Sequence, residues 1–311
     1  MLKANFITAG EAAEKIADNS TVCTIGMTLV SASEAVLKAI EQRFEVSGHP
    51  ADITLVHSCG QSDRKDGIQH FSHEGLVKRI IGSHWGLQPK WMEMIAENKV
   101  EAYCLPQGQI AQLYRSMACG LPGKMSKVGL GTFIDPRIEG GKMNDRTKSL
   151  PDIVDIIKYD GEEYMFYKQI PLDTVLIRGT VCDESGNLTT TEEAMKLEVL
   201  PAVMAAKRYG GRVIAQVKQV VQSGTINPKD VAVPGVFIDD IVVCENPFED
   251  HRQTSSWYFD PSYSGQVRVP AANIAPAPFN ERKFIARRGT QELYKGAVVN
   301  LGTGIPNDMV G

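Results

Sequence analysis

The sequence holds no uninterrupted apolar run of about 18 residues, the length a membrane-crossing helix needs. Its start, MLKANFITAGEAAEKI, has neither the apolar stretch of a secretory signal nor the Arg- and Ser-rich make-up of a transit peptide, so the cytoplasm is the expected location. There is no basic excess: 33 Lys and Arg face 37 Asp and Glu, a net charge of −4. Phosphate-rich partners call for a basic surface, so neither nucleic acid nor an anionic membrane is expected as a partner. The six cysteines (Cys23, Cys59, Cys104, Cys119, Cys182 and Cys244) are scattered and form no C-x-x-C pair. That excludes a disulfide framework and the usual zinc spacings, and a free thiol among apolar neighbours behaves as a small hydrophobe. Neither the phosphate-binding G-x-x-x-x-G-K-[ST] loop nor the G-x-S-x-G elbow of serine hydrolases occurs.

What is present alternates strand and helix signals. Thr8 and Glu11 have capping-box spacing and predict a helix over EAAEKIADN. STVCTIG reads as a buried strand ending at Gly26; Ser31 and Glu34 form a second capping box before a helix carrying Val36, Leu37, Ile40 and Phe44. ITLVHS is a strand, Glu74 to Ile81 a short helix, EAYCL a strand, and Gln109 to Ala118 a helix. Strands that are apolar nearly throughout suit a parallel sheet covered on both faces, so an α/β fold in three layers is expected.

The second half has a more antiparallel flavour. Asp160-Gly161 sits between apolar-rich arms, a hairpin signal. Asp183-Glu184-Ser185-Gly186 marks a turn, a helix is expected from Glu192 to Tyr209, bent or interrupted near Pro201, and RVIAQVKQVV and VFIDDIVVC read as strands. Five prolines between Glu245 and Asn280 mark a long connection. Beyond it, ERKFIARRGTQELYKG leads into AVVNLGTGIP much as the first helix leads into STVCTIG, so a second unit is expected to open near Asn280 and to be cut short at Gly311. The expected division is therefore 1–245, a connection over 246–280, and 281–311.

Several clusters carry chemistry on paper. Leu301-Gly302-Thr303-Gly304-Ile305-Pro306 lacks the third glycine of a dinucleotide fingerprint; it serves equally as a tight turn or as bare backbone beside a bound ligand. His70, His73 and Glu74, with His84 and Cys59 nearby in sequence, are not in H-E-x-x-H order, and no metal is expected. Glu184 could project from its turn as a nucleophile, but Asp, Ser, Gly and Asn around it are turn formers in their own right. Pro106-Gln107-Gly108 closes a strand and opens a helix, the edge at which open parallel sheets bind ligands. Gln107 could donate to a carbonyl or oxyanion there, or serve as a helix cap.

Taken in order, FSHEGLVKRIIGSHWG, AENKVEAYCLPQG, VGLGTFIDPRIEGGK, LIRGTVCDESGN and AVVNLGTGIP resemble the family I CoA-transferases, in particular the propionate/acetate group that joins an α-type and a β-type domain in one polypeptide. The resemblance runs through essentially all 311 residues and implies a CoA-transferase-type α/β fold with antiparallel additions. It implies transfer of CoA from a short-chain acyl-CoA (acetyl, propionyl or butyryl) to a carboxylate acceptor. The route would be ping-pong through an acyl–glutamyl anhydride and a glutamyl–CoA thioester. No metal or organic cofactor is implied; CoA and acyl-CoA are substrates.

On the matching positions, Gln107 becomes the contact to the reacting thioester, and Gly26, Gly108, Gly302 and Gly304 become substrate-binding backbone. Met27-Thr28-Leu29-Val30 departs from the Gly-rich, proline-containing loop common elsewhere in the family. The family's nucleophilic glutamate lies downstream of the G-x-G-x-P loop, hence beyond Gly311, and by order along the chain Glu184 matches the α-domain turn instead. A β-type domain or subunit is therefore the implied partner, with homo-oligomers of the complete enzyme. The alternative is a non-catalytic α-type scaffold, or a subunit that acts only with a separate β-type chain; a DeoR-like or isomerase relative sharing only the broad fold would not need PQG, GTFIDPR and GTGIP together.

Overall fold

The Glu11 N–H donates to Thr8 Oγ1 at 3.1 Å while the Thr8 N–H donates to Glu11 Oε2 at 2.8 Å, the reciprocal pair that the spacing predicts. The computed structural model describes residues 4–273, 275–302 and 304–310, and this cap opens its first helix. In chain order the main elements are β1 (Asn5–Ile7), α1 (Ala9–Glu14), β2 (Thr21–Thr24), α2 (Glu34–Ser47), β3 (Ile53–His57) and β4 (Val77–Gly82). There follow α3 (Pro89–Ala96), β5 (Glu101–Cys104), α4 (Gln107–Ala118), β6 (Thr174–Arg178), α5 (Val199–Arg208), β7 (Arg212–Val217) and β8 (Asp240–Val243).

The eight strands form one sheet in the order β1-β8-β7-β6-β2-β3-β4-β5, with every neighbouring pair parallel. Successive residues of a strand point to opposite faces, and both faces are dry. Val22, Leu55, Leu176, Ile214 and Val242 pack with residues of α1, α2 and α3. Cys23, Val56, Val175, Val213 and Ile241 pack with residues of α4 and α5 on the other side. Each fully buried Val, Leu or Ile contributes about 1.5–3 kcal/mol, so the apolar strands dictate the three layers. Two small sheets are added: an antiparallel one of Gly123–Ser126, Glu162–Lys168 and Val154–Tyr159, and one of Val181–Asp183, Leu188–Thr189, Gln219–Val221 and Val231–Val233. Asp160 and Gly161 turn the hairpin with φ of 50° and 77°, the left-handed pair a two-residue turn requires.

Four expectations are corrected. Residues 74–81 form no helix; β4 runs there, because Val77 and Ile80 enter one core and Ile81 the other, and a run buried on both faces has no diagnostic period. Ser31 does not cap α2: Ser33 holds that position, while Ser31 turns left-handed (φ 59°) and Glu34 is drawn away to the Gly67 N–H and His70. α5 begins at Val199, so Pro201 sits in its first turn, where no intrahelical N–H is needed, and the helix is not interrupted. Strands β6, β7 and β8 of the second half lie parallel in the main sheet, since their connections cross over the faces like those of the first half.

The described residues fall into two compact units, divided between Ser264 and Gly265. In the first unit the early part of the proline-rich stretch is packed rather than free: His251 and Gln253 are buried, and Phe248 stacks on Tyr258 at 4.3 Å. In the second unit a helix spans Glu281–Thr290, capped by Asn280, whose Oδ1 accepts from the Lys283 N–H at 3.0 Å. Its Arg282 pairs with Asp308 at 2.8 Å in a 3-10 segment over Ile305–Val310. The strand expected over AVVNL is not formed: Val298 is fully exposed (103%) and no described strand lies beside it to supply a ladder.

Candidate functional site

In an open parallel sheet, ligands bind outside the carboxyl ends of the strands where the strand order reverses. That reversal falls between β2 and β6: the chain steps from β2 outward through β3 and β4 to β5, then returns to β6 on the other side of β2. Gly26 follows β2 and Arg178 ends β6, so both stand at the reversal.

Gly26 is buried, and a Cβ built on it would stand 3.1 Å from the Val30 carbonyl oxygen and 3.2 Å from Gln61 Oε1. A side chain there would have to push the Gln61 amide or the loop carbonyl aside by a few tenths of an ångström. Gln61 is itself fully buried; its Nε2 donates to the Thr24 carbonyl at 2.8 Å, while its Oε1 and the Thr24 hydroxyl have no partner among the described residues. After Gly26 the backbone folds tightly: the Met27 and Val30 N–H groups donate to each other's carbonyls at 3.0 and 2.9 Å, and the Thr28 N–H donates to Gly60 O at 2.8 Å. Thr28 has φ 52°, a left-handed conformation that a β-branched residue rarely adopts.

Beside this loop lies a fully enclosed ion pair. Arg178 donates from Nε to Glu193 Oε1 at 3.0 Å and from NH2 to Glu193 Oε2 at 2.6 Å; its NH1 reaches the Ala32 and Leu29 carbonyls at 3.1 and 3.4 Å. Burial works against the Glu193 charge, but the Arg178 guanidinium and His251 outweigh it and hold the carboxyl well below the usual range. His251 Nε2 stands 3.6 Å from Glu193, and burial, reinforced by Arg178, lowers its pKa to about 4. Ser58, just past β3, donates to Glu198 of the segment preceding α5. His57 Nδ1 lies 2.7 Å from the Cys59 carbonyl and Trp85 Nε1 donates to His57 Nε2 at 3.1 Å; burial lowers the His57 pKa to about 4, so its ring is neutral at pH 7.

Gln107 opens α4 at the carboxyl end of β5, on the same edge of the sheet. Three strand spacings separate β5 from β2, roughly 14 Å. Its side chain is exposed and makes no hydrogen bond to any described residue, and the N-cap position belongs to Pro106. Gly108 is exposed, with nothing within 4 Å of a built Cβ. Gly302 and Gly304 are exposed in the second unit, Gly304 with φ 113°; Thr303 lies outside the described residues.

Glu184 is elsewhere. Its turn is closed by Asp183, whose Oδ1 accepts from the Ser185 and Asn187 N–H groups at 2.9 Å each. The Glu184 carbonyl accepts from the Ala4 N–H beside the start of β1, the opposite edge strand from β5. His70 is bound on both ring nitrogens by carboxylates: Nε2 to Glu34 at 2.6 Å and Nδ1 to Glu41. His73 also pairs with Glu41, at 2.7 Å, and Glu74 pairs with Lys99. Ligand atoms of Glu34, Asp66 and His70 lie within 4.8 Å of one another, yet Asp66 is taken up by Arg252 at 3.2 Å. Arg178, Glu193, His251 and Gln61 were not singled out from sequence. The available signal was an arginine ending a run of buried strand residues, TVLIR.

A doubly covered parallel sheet whose strand order reverses beside β2 is an α/β architecture whose carboxyl edge is where such folds bind ligands. The chain belongs to the coenzyme A transferase family, whose profile, "Coenzyme A transferase", matches residues 6–244. It is 43% identical over 307 residues to the caffeate CoA-transferase of Acetobacterium woodii, covering 98% of this chain and 58% of that protein. It is 36% identical over 304 residues to the acetate CoA-transferase YdiF of Escherichia coli K12, covering 96% and 56%. Among solved structures, the acyl-CoA transferase YdiF of Escherichia coli O157:H7 in thioester complex with CoA superposes with a TM-score of 0.87 at 34% identity, over 99% of this chain and 58% of that one. The chain thus spans somewhat over half the length of these relatives. No helix among the described residues is long and apolar enough to cross a membrane.

Proposed function

We infer that this chain is the α-type part of an acyl-CoA:carboxylate CoA-transferase, acting on short-chain acyl-CoA with a β-type part that supplies the nucleophilic glutamate. The observation that carries this reading is the match to the A. woodii CoA-transferase across 98% of the chain. The Gln107 amide, free at the carboxyl edge, supports it.

In the proposed reaction a glutamate oxygen attacks the thioester carbonyl carbon, the C–S bond breaks, and CoA leaves as thiolate with an acyl–glutamyl anhydride behind. The thiolate then attacks the glutamyl carbonyl, the acyl carboxylate departs, and a glutamyl–CoA thioester remains. The acceptor carboxylate reverses both steps. A carboxylate is a weak nucleophile, so alignment and exclusion of water carry much of the rate. Gln107 is assigned as donor to the carbonyl oxygen as negative charge develops, which is where a fixed donor helps most. Gly26, Gly108, Gly302 and Gly304 are assigned to backbone that lies against substrate, and no cofactor takes part. Assembly into homo-oligomers and a cytoplasmic location belong to the same reading.

The test is CoA exchange between acetyl-CoA or propionyl-CoA and a carboxylate acceptor, measured on the chain alone and together with a β-type half. Transfer only in the second case supports the reading. Transfer by the chain alone would place the nucleophile within these residues and make Glu184 the first to mutate. No transfer in either case would leave the scaffold reading.

A further inference from the structure

The segment between β2 and α2 is held in a conformation its own residues resist. Thr28 and Ser31 both have left-handed φ, 52° and 59°, with a side chain on each. Non-glycine residues persist there only when the surroundings impose it, and such positions cluster at ligand-handling sites. The surroundings here converge on one side chain. Arg178 is 2% exposed and places its NH1 on the Ala32 and Leu29 carbonyls, on either side of Val30 and Ser31, while Nε and NH2 grip Glu193. Glu193 completes the ring by accepting from the Ser31 hydroxyl at 3.1 Å. One ion pair thus ties three pieces of chain: the end of β6, the loop after β2, and the segment before α5.

We propose that Arg178 and Glu193 are positioning residues for the transfer reaction: their ion pair fixes the Gly26–Ala32 loop in the strained form that presents Met27 and Thr28 to the acyl end of the substrate. The inference rests on the CoA-transferase reading above. Glycine holds a left-handed φ free of strain; at Thr28 and Ser31 side chains occupy the loop, and the guanidinium fork supplies the constraint. Lysine cannot replace it, since a single ammonium lacks the planar fork that reaches a carboxylate and two carbonyls together.

The test uses the complete transferase, α-type and β-type parts together, with two readouts. The first is amide hydrogen exchange, which is independent of turnover. In Arg178→Lys and Glu193→Gln, exchange should quicken over residues 27–32 and 190–193 while β3, β4 and β5 keep their protection. The second is steady-state kinetics: kcat should fall roughly ten- to a hundred-fold, the scale of a small displacement near reacting groups, with KM for acyl-CoA within about two-fold. Because single variants can unfold the site, the double variant Arg178→Met/Glu193→Leu serves as control, since an apolar pair of similar volume often matches a buried ion pair in stability. Positioning predicts a wild-type melting temperature with kcat still low, as methionine cannot donate to Ala32 or Leu29. Recovery of kcat in the double variant, or full activity in Arg178→Lys, would overturn the proposal. An inactive wild-type complex with the exchange pattern intact would instead sink the transferase reading.

Discussion

Gln61 Oε1 lies 3.2 Å from the point where a side chain at Gly26 would begin. A shift of Gln61 would strain its side-chain hydrogen bond, from Nε2 to the Thr24 carbonyl, inside a fully buried site. Gly26→Ala is therefore expected to overpack the end of β2 and cost about 1–3 kcal/mol of stability. Turnover per folded molecule should fall as well, since the strained loop starts at this residue. Melting temperature and kcat measured on one preparation decide it; a variant normal in both would show that the loop tolerates a methyl group and that close approach is not what selects glycine.

Gln107→Ala separates chemistry from folding. The amide is exposed and bonded to no described residue, so stability should change by no more than about 0.5 kcal/mol. In the complete transferase kcat should fall roughly ten- to a thousand-fold, with a smaller change in KM for acyl-CoA, the pattern of an interaction made in the transition state. A lowered melting point with normal kcat would return Gln107 to a structural role.

Glu184→Gln should leave transfer by the complete enzyme unchanged. Its turn lies beside β1 and Gln107 follows β5, at opposite edges of eight strands, a span of roughly 34 Å at ordinary strand spacing. A severe loss of kcat with an intact fold would contradict this placement.

His70 gives the fold a pH dependence with a definite sign. Burial opposes its protonation, but Glu34 and Glu41 outweigh it, and the pKa is raised above 6.5 in the folded chain. A raised folded pKa means the contribution is fully present below the unfolded value and lost as pH rises through the folded one. From pH 6 upward the wild type should lose more melting temperature than His70→Gln, which has no ring to deprotonate. Parallel curves for the two proteins would count against this.

The three layers were legible because apolar strands alternate with capped or amphipathic helices, as Thr8 and Glu11 illustrate. What misled was long-range pairing. Glu34 has the spacing of a cap partner but serves His70 and Gly67, and Ser31 serves Glu193, 162 residues away. β4 read as a helix because burial on both faces erases the period. Pro106-Gln107-Gly108 could be singled out from the residues because it closes a strand and opens a helix, whereas Gly26 is singled out only through the family resemblance. Arg178 could not be singled out, since its worth depends on Glu193, Leu29 and Ala32 arriving from elsewhere in the chain.

The sheet begins and ends with the same pairing: β1 lies against β8, with Asn5 opposite Asp240 and its Nδ2 donating to Asp240 Oδ1 at 2.7 Å. A ribosome adding about 5–20 residues each second needs roughly 10–50 s to travel between those two positions. For that interval β1, which carries the half-exposed Phe6, waits for its partner, whereas each of β3 to β8 meets a strand already made. Synthesis and closure of this sheet thus run in step along the chain except at residues 5–7, which can be seated only once residues 240–242 have emerged.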